Sequence, residues 1–308
     1  MDLVQMNERV PEALFLVGDN PFHGISHLSQ ERARARGEGA GSSEKAAEVV
    51  LTSLQNSANG FTFSVSELTL SILRFIRKRR SDNLDLYPMV PYAFEYVRIA
   101  TQTGTPGLVK KLAKQIVMSG GPRAVAIGAK AVMTMNPSNL LSTYLTYEIS
   151  RVKSSAGKNM NLVSLILNEV MTDMALGLNL DWLFEAYVKF LSRRDIIPGF
   201  NTRNFPFFVQ KFKEWNIDTR NIIVATPFNK AGFQMNPSKQ ECEKTLADLS
   251  SPIVLAISIL AAGYLKPSAA IEYLTDLPNL KGIVAGVSTE QQARTTFTLL
   301  NESFRNAK

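Results

Sequence analysis

Both histidines of the 308-residue chain fall in one ten-residue stretch, GDNPFHGISH, residues 18–27. Neutral imidazole near pH 7 is the natural proton shuttle and a common metal ligand. Pro21 and Gly24 argue for an irregular loop rather than a helix carrying His23 and His27 on one face. H-x-x-x-H without a flanking glutamate is a weak zinc signature. Pro21 also restricts Asn20 to an extended conformation. That path would carry Phe22 and His23 across a pocket, Phe22 as its wall, until Gly24 lets the chain turn back. His23, with Asp19 or Glu169, is the candidate for proton transfer, and His27 the structural partner.

Glu169 follows an apolar run and Asn168. Partial desolvation there would raise a carboxylate toward a useful acid/base range; the alternative is a first-turn carboxylate complementing a helix dipole. Asp19, Glu67 and Glu169 could instead supply oxygen ligands to a divalent metal, although no spacing requires one. Asn20, Glu67, Tyr92, Asn168, Asn201 and Arg203 are the candidate substrate-binding residues, Asn201 and Arg203 as anchors. Lysine is missing from these positions, which disfavours a Schiff-base aldolase, Lys230 being the nearest loop lysine. Gly263, Gly286, Ser288 and Thr289 precede or open helical patterns near the C-terminus. They read as a phosphate-binding rim or as tight turns and a plain helix cap.

What must position these groups is legible as eight apolar runs: ALFLV (13–17), GFTFS (60–64), LDLYPMV (84–90), NLVSLIL (161–167), DIIPGF (195–200), NIIVAT (221–226), PIVLAIS (252–258) and KGIVAGV (281–287). Helical patterns separate them, with start signals at Ser43, Ser66, Ser238 with Glu241, and Ser288 with Gln291. Continuously apolar strands alternating with helices imply a parallel sheet buried on both faces. Eight such units predict an α/β fold, a (β/α)8 TIM barrel, as a single domain over 1–308. In such barrels chemistry sits on the loops after the strands, so every candidate above lies at one mouth. One crossover is too long: 106–155 reads as a helical insertion between the third and fourth strands, an added outer layer, a lid or a dimer arm.

Composition narrows the partners. The single cysteine, Cys242, excludes an intrachain disulfide framework and suits a reducing cytoplasm. The first residues lack the basic segment and apolar core of a signal peptide. The longest apolar stretch, 252–265, is too short to span a bilayer, so no membrane partner is expected. A net charge of +7 favours anionic partners by steering, whether nucleic acid, a small phosphorylated metabolite or acidic lipid. RFIRKRR (74–80) reads as a solvated helix end complementing the dipole rather than a nucleic-acid patch.

The segment AAGYLKPSAAIEYLTDLPNLKGIVAGVSTEQQARTTF (261–297) resembles the C-terminal end of aldo-keto reductases: a lysine-proline turn, a helix, an LPN step and a final strand ending in G-x-S. The resemblance implies an NADP cofactor, its phosphates held by Gly286, Ser288 and Thr289. That family's catalytic aspartate, tyrosine, lysine and histidine come from early strand ends. Here no lysine follows LDLYPMV and no histidine follows NLVSLIL, and Tyr92 is the nearest tyrosine, one strand late. GDNPFHGISH is also similar to a (β/α)8-barrel family without an assigned activity. Three functions stand: an acid/base enzyme on a small anionic metabolite, phosphorylated or not; an NAD(P)-dependent oxidoreductase; and a non-catalytic barrel binding a ligand or partner through its insertion.

Overall fold

The computed structural model describes residues 13–24, 43–79, 83–92 and 137–306. Eight parallel strands close into a barrel. They are β1 (Leu14–Gly18), β2 (Gly60–Ser64), β3 (Leu84–Val90), β4 (Met160–Leu162 with Ser164–Leu167), β5 (Ile197–Asn201), β6 (Ile223–Pro227), β7 (Ile253–Ile257) and β8 (Leu280–Gly286). Each pairs with its sequence neighbours, and the β1–β8 pairing, Leu14 opposite Gly282 to Gly18 opposite Gly286, closes the ring. β4 shifts its register against β3 by one residue around Val163, from Leu86 opposite Leu162 to Met89 opposite Ile166, without breaking the ladder. The Val163 N–H reaches the Leu86 carbonyl at 3.1 Å and its carbonyl accepts from Ile197 N–H at 2.8 Å.

The apolar runs split by alternation into two cores. Inward residues such as Leu14, Leu16, Tyr87, Ile166, Ile223 and Leu255 fill the lumen. Outward ones such as Phe15, Val17, Phe61, Phe63 and Phe200 meet the helices. Two inward glycines make this packing feasible. A Cβ on Gly60 would lie 2.8 Å from the Tyr87 ring, and one on Gly282 would lie 2.5 Å from the Leu14 carbonyl oxygen.

Around the strands lie α1 (Ser43–Gln55), α2 (Glu67–Arg79), α3 (Pro137–Ala156), α4 (Glu169–Gly177), α5 (Asp181–Ser192), α6 (Phe205–Glu214), α7 (Lys239–Ala247), α8 (Pro267–Thr275) and α9 (Glu290–Asn306). Ser66 caps α2, its Oγ accepting Thr69 N–H at 3.2 Å, and Ser238 caps α7 through Glu241 N–H. On α6 the stripe Phe205, Phe208, Phe212 is fully buried. The basic end of α2 is occupied within the chain: Arg79 pairs with Glu48 at 3.0 Å and Arg77 reaches the Ser154 carbonyl. Of the predicted insertion, α3 is helical as read, and 106–136 lie outside the described residues. No helix among the described residues is long and apolar enough to cross a membrane.

Candidate functional site

β1 runs straight into the site. Asp19 follows its last residue and is 7% exposed. Its Oδ2 accepts two hydrogen bonds, from Ser64 N–H at the end of β2 (2.7 Å) and from His23 Nε2 (3.0 Å). The other ring nitrogen, Nδ1, lies 3.4 Å from the Tyr92 hydroxyl just past β3, and the two rings sit 5.1 Å apart at 31°. Three strand ends thus assemble one continuous chain: carboxylate, imidazole, phenol. In the neutral ring, a carboxylate at Nε2 selects the Nε2–H tautomer and leaves Nδ1 as the acceptor facing Tyr92.

The loop achieves this differently from the sequence expectation. Residues Asn20–His23 form a 3-10 turn, closed by Asp19 O accepting Phe22 N–H at 2.9 Å, so Asn20 is not extended. Asn20 is exposed. Phe22 does not wall a pocket: it is buried in the core against Phe61, centroids 6.4 Å apart. Burying that ring outweighs the local preference of a residue before proline. Gly24 takes the left-handed conformation (φ 68°) at the C-terminal end of that turn. His27 lies outside the described residues.

A second group forms at the ends of β4 and β5. Asn168 caps α4, its Oδ1 accepting Val170 N–H at 2.9 Å, and its Nδ2 faces Met89 Sδ at 3.5 Å. Glu169 in the first turn pairs with Arg203 rather than joining His23; a guanidinium one strand away is the better partner for its charge. Sequence reasoning missed Asp173, one turn further on, although the acidic i, i+4 spacing from Glu169 was there to see. Asp173 accepts from Thr202 Oγ1 at 2.5 Å and from Arg203 N–H at 3.1 Å. Burial raises its pKa above the ordinary aspartate value, partly offset by those two hydrogen bonds.

The divalent-metal expectation fails on placement. Glu67 stands on the helix layer, pairing with Arg151 of α3 at 3.0 Å and Arg74 at 3.7 Å. Asp19, Glu67 and Glu169 each have their own donors. Among the described residues no three His, Cys, Asp or Glu side chains gather as ligands.

At the end of β8, Gly286 is exposed, with Pro21 of the histidine turn 3.2 Å from the place a Cβ would take. The cap of α9 is shifted one residue from the expected Ser288–Gln291 pair: Thr289 Oγ1 accepts Gln292 N–H at 3.2 Å, and Gln292 Oε1 accepts Ser288 N–H at 2.9 Å. Gly263, exposed in the turn after β7, is left-handed at φ 92°.

The fold has relatives among solved structures. A Pseudomonas aeruginosa protein described as an aldo-keto reductase superposes with a TM-score of 0.55 at 9% identity, over 94% of this chain and 89% of that one. An aldo-keto reductase from a Medee basin deep-sea metagenome library superposes with a TM-score of 0.51 at 10% identity, over 96% and 90%. The fold is that of these barrels. No family model and no curated protein matches the sequence. The likeness extends over nearly the whole barrel, well beyond the C-terminal segment whose sequence pointed to it.

Proposed function

We propose that the chain is a barrel enzyme working by proton transfer at its mouth on a small polar carbonyl compound, with Tyr92 meeting the substrate and His23 and Asp19 behind it. The observation that carries this is the Asp19–His23–Tyr92 chain, in which each link is within hydrogen-bond reach. As a base, the Tyr92 oxygen takes the substrate proton while its own proton passes to His23 Nδ1. The imidazolium so formed is held by the buried Asp19 carboxylate. As an acid the sequence reverses: Nδ1–H returns a proton to the phenol oxygen as the phenol protonates the substrate oxygen. The 3.4 Å link is long, as catalytic hydrogen bonds often are before substrate binds.

A second reading, a nicotinamide-dependent carbonyl reductase, is supported by the fold likeness, and Tyr92 would serve it as the carbonyl's proton donor. A nicotinamide cofactor would supply the hydride. The described rim does not by itself fit its phosphates. Ser288 N–H is spent on the Gln292 side chain, and Glu290 places a carboxylate in the same first turn. No step is therefore routed through that cofactor.

The test is solvent deuterium exchange at the α-carbon of a panel of small hydroxylated aldehydes and ketones, followed by proton NMR. The wild type should catalyse exchange, and Tyr92→Phe and His23→Gln should lose it by at least a hundredfold. Unchanged exchange in both variants would refute the assignment. Saturable quenching of tryptophan fluorescence by NADPH, with no exchange activity, would favour the second reading.

A further inference from the structure

Two residues at the end of β5 carry polar atoms that are shut off from solvent and unsatisfied. Asn201 is 4% exposed; its Nδ2 faces Met89 Sδ at 3.7 Å, and its Oδ1 has no hydrogen-bond partner. Two residues on, Arg203 donates Nη2 to Glu169 while its buried Nε–H has no acceptor. Strand alternation places Asn201 on the lumen side of β5, because Phe200 lies in the outer core; Arg203, two residues past the end of the strand, turns to Glu169 in the first turn of α4. A buried polar group left unpaired costs about 1–3 kcal/mol, so an orphan acceptor and an orphan donor two residues apart in the chain call for an explanation.

Charge and valence restrict what could satisfy them. The Arg203 guanidinium is already paired with Glu169, and Asp173 accepts from its backbone, so an incoming anion would face two carboxyl groups and one spent cation. A carboxylate or phosphate also offers no donor for Asn201 Oδ1. A hydroxyl group offers both a donor and an acceptor.

We infer that Asn201 and Arg203 form a subsite for the hydroxyl groups of a neutral polyhydroxylated ligand. A hydroxyl proton goes to Asn201 Oδ1, and the same or an adjacent hydroxyl oxygen accepts from Arg203 Nε–H. Calling this ligand the substrate rests on the function proposed above; the binding does not. The subsite revises the sequence expectation that Arg203 anchors an anionic metabolite, since its charge is used within the protein.

The experiment is saturation-transfer NMR on the full chain with xylitol, xylonate and xylitol 5-phosphate, which share a skeleton and differ in charge, and with nicotinamide as a carboxamide probe. Xylitol should bind more tightly than either anion or nicotinamide. Asn201→Leu and Arg203→Lys should each weaken xylitol about tenfold, the size of a lost hydrogen bond to a buried partner. Arg203→Lys retains the cation for Glu169 and lacks the second donor. Asn201→Leu should fold at least as stably as the wild type, since it removes an unpaired acceptor. Tighter binding of an anion or of nicotinamide, or xylitol binding unchanged in both variants, would overturn the inference. Xylitol binding that persists in a Tyr92→Phe chain with undiminished exchange would sink the proton-transfer reading while leaving the subsite standing.

Discussion

Removing the Asp19 carboxylate should destabilise the protein measurably, because the mouth is built around it. Asp19→Ala leaves the Ser64 N–H without its 2.7 Å acceptor and His23 Nε2 without its 3.0 Å partner, at a position 7% exposed. Hydrogen bonds to a charged acceptor are worth about 1.5–3 kcal/mol each, and water entering the vacated space recovers part of that. The net loss expected is about 3 kcal/mol. Asp19→Asn keeps one acceptor oxygen and should lose about half as much. Equilibrium urea denaturation followed by far-ultraviolet circular dichroism reads both. Losses below about 0.5 kcal/mol in both variants, the range of ordinary surface substitutions, would refute the view that this carboxylate organises the ends of β1 and β2.

Gly282→Ala should cost about 3 kcal/mol or more or prevent folding, because its Cβ would meet the Leu14 carbonyl oxygen at 2.5 Å and strand backbone cannot yield as a side chain can; a variant with wild-type urea stability would show the β1–β8 contact to be looser than described. Asp173 has a folded pKa above its unfolded one, from burial, so the folded state holds the extra proton and this group's contribution is favourable below about pH 4 and is lost as pH rises through the folded value. Asp173→Asn should therefore lose less stability than the wild type between pH 4 and pH 7, and parallel pH profiles would contradict it. Cys242 is 1% exposed and its thiol is pushed up to about 11 by burial and the neighbouring Glu241 and Glu243. Ellman's reagent should find no thiol in native protein at pH 8 and one after denaturation, whereas immediate native reaction would contradict that burial.

The barrel was legible because its signal is local and repeated: each strand is buried on both faces and must be apolar throughout, so eight runs could be counted. The register shift at Val163 left no trace, since valine suits either part of β4. The α9 cap shifted because the run Ser288, Thr289, Glu290, Gln291, Gln292 offers two overlapping cap spacings, and packing chose the second. Asp19 and His23 were readable from the short loop that joins them. Tyr92 was a candidate at the same mouth, but its pairing with His23, and that of Ser64 with Asp19, join different strands and could not be read; Phe22 and Glu169 were misplaced because a core ring and a guanidinium elsewhere in the fold competed for them. Asp173 escaped for the same reason, since an acidic pair on a helix reads as solvated until Thr202 and Arg203 cover it.

The claim that matters most is that Asp19 fixes His23 in one tautomer, with Nδ1 turned to Tyr92. The chain has only two histidines, so nitrogen-15 histidine labelling gives two imidazoles, and His23→Gln assigns them. At a pH where the ring is neutral, His23 should show a protonated Nε2 and an unprotonated Nδ1, and Asp19→Asn should turn that single tautomer into a mixture. A protonated Nδ1, or a tautomer mixture identical in wild type and Asp19→Asn, would contradict the account.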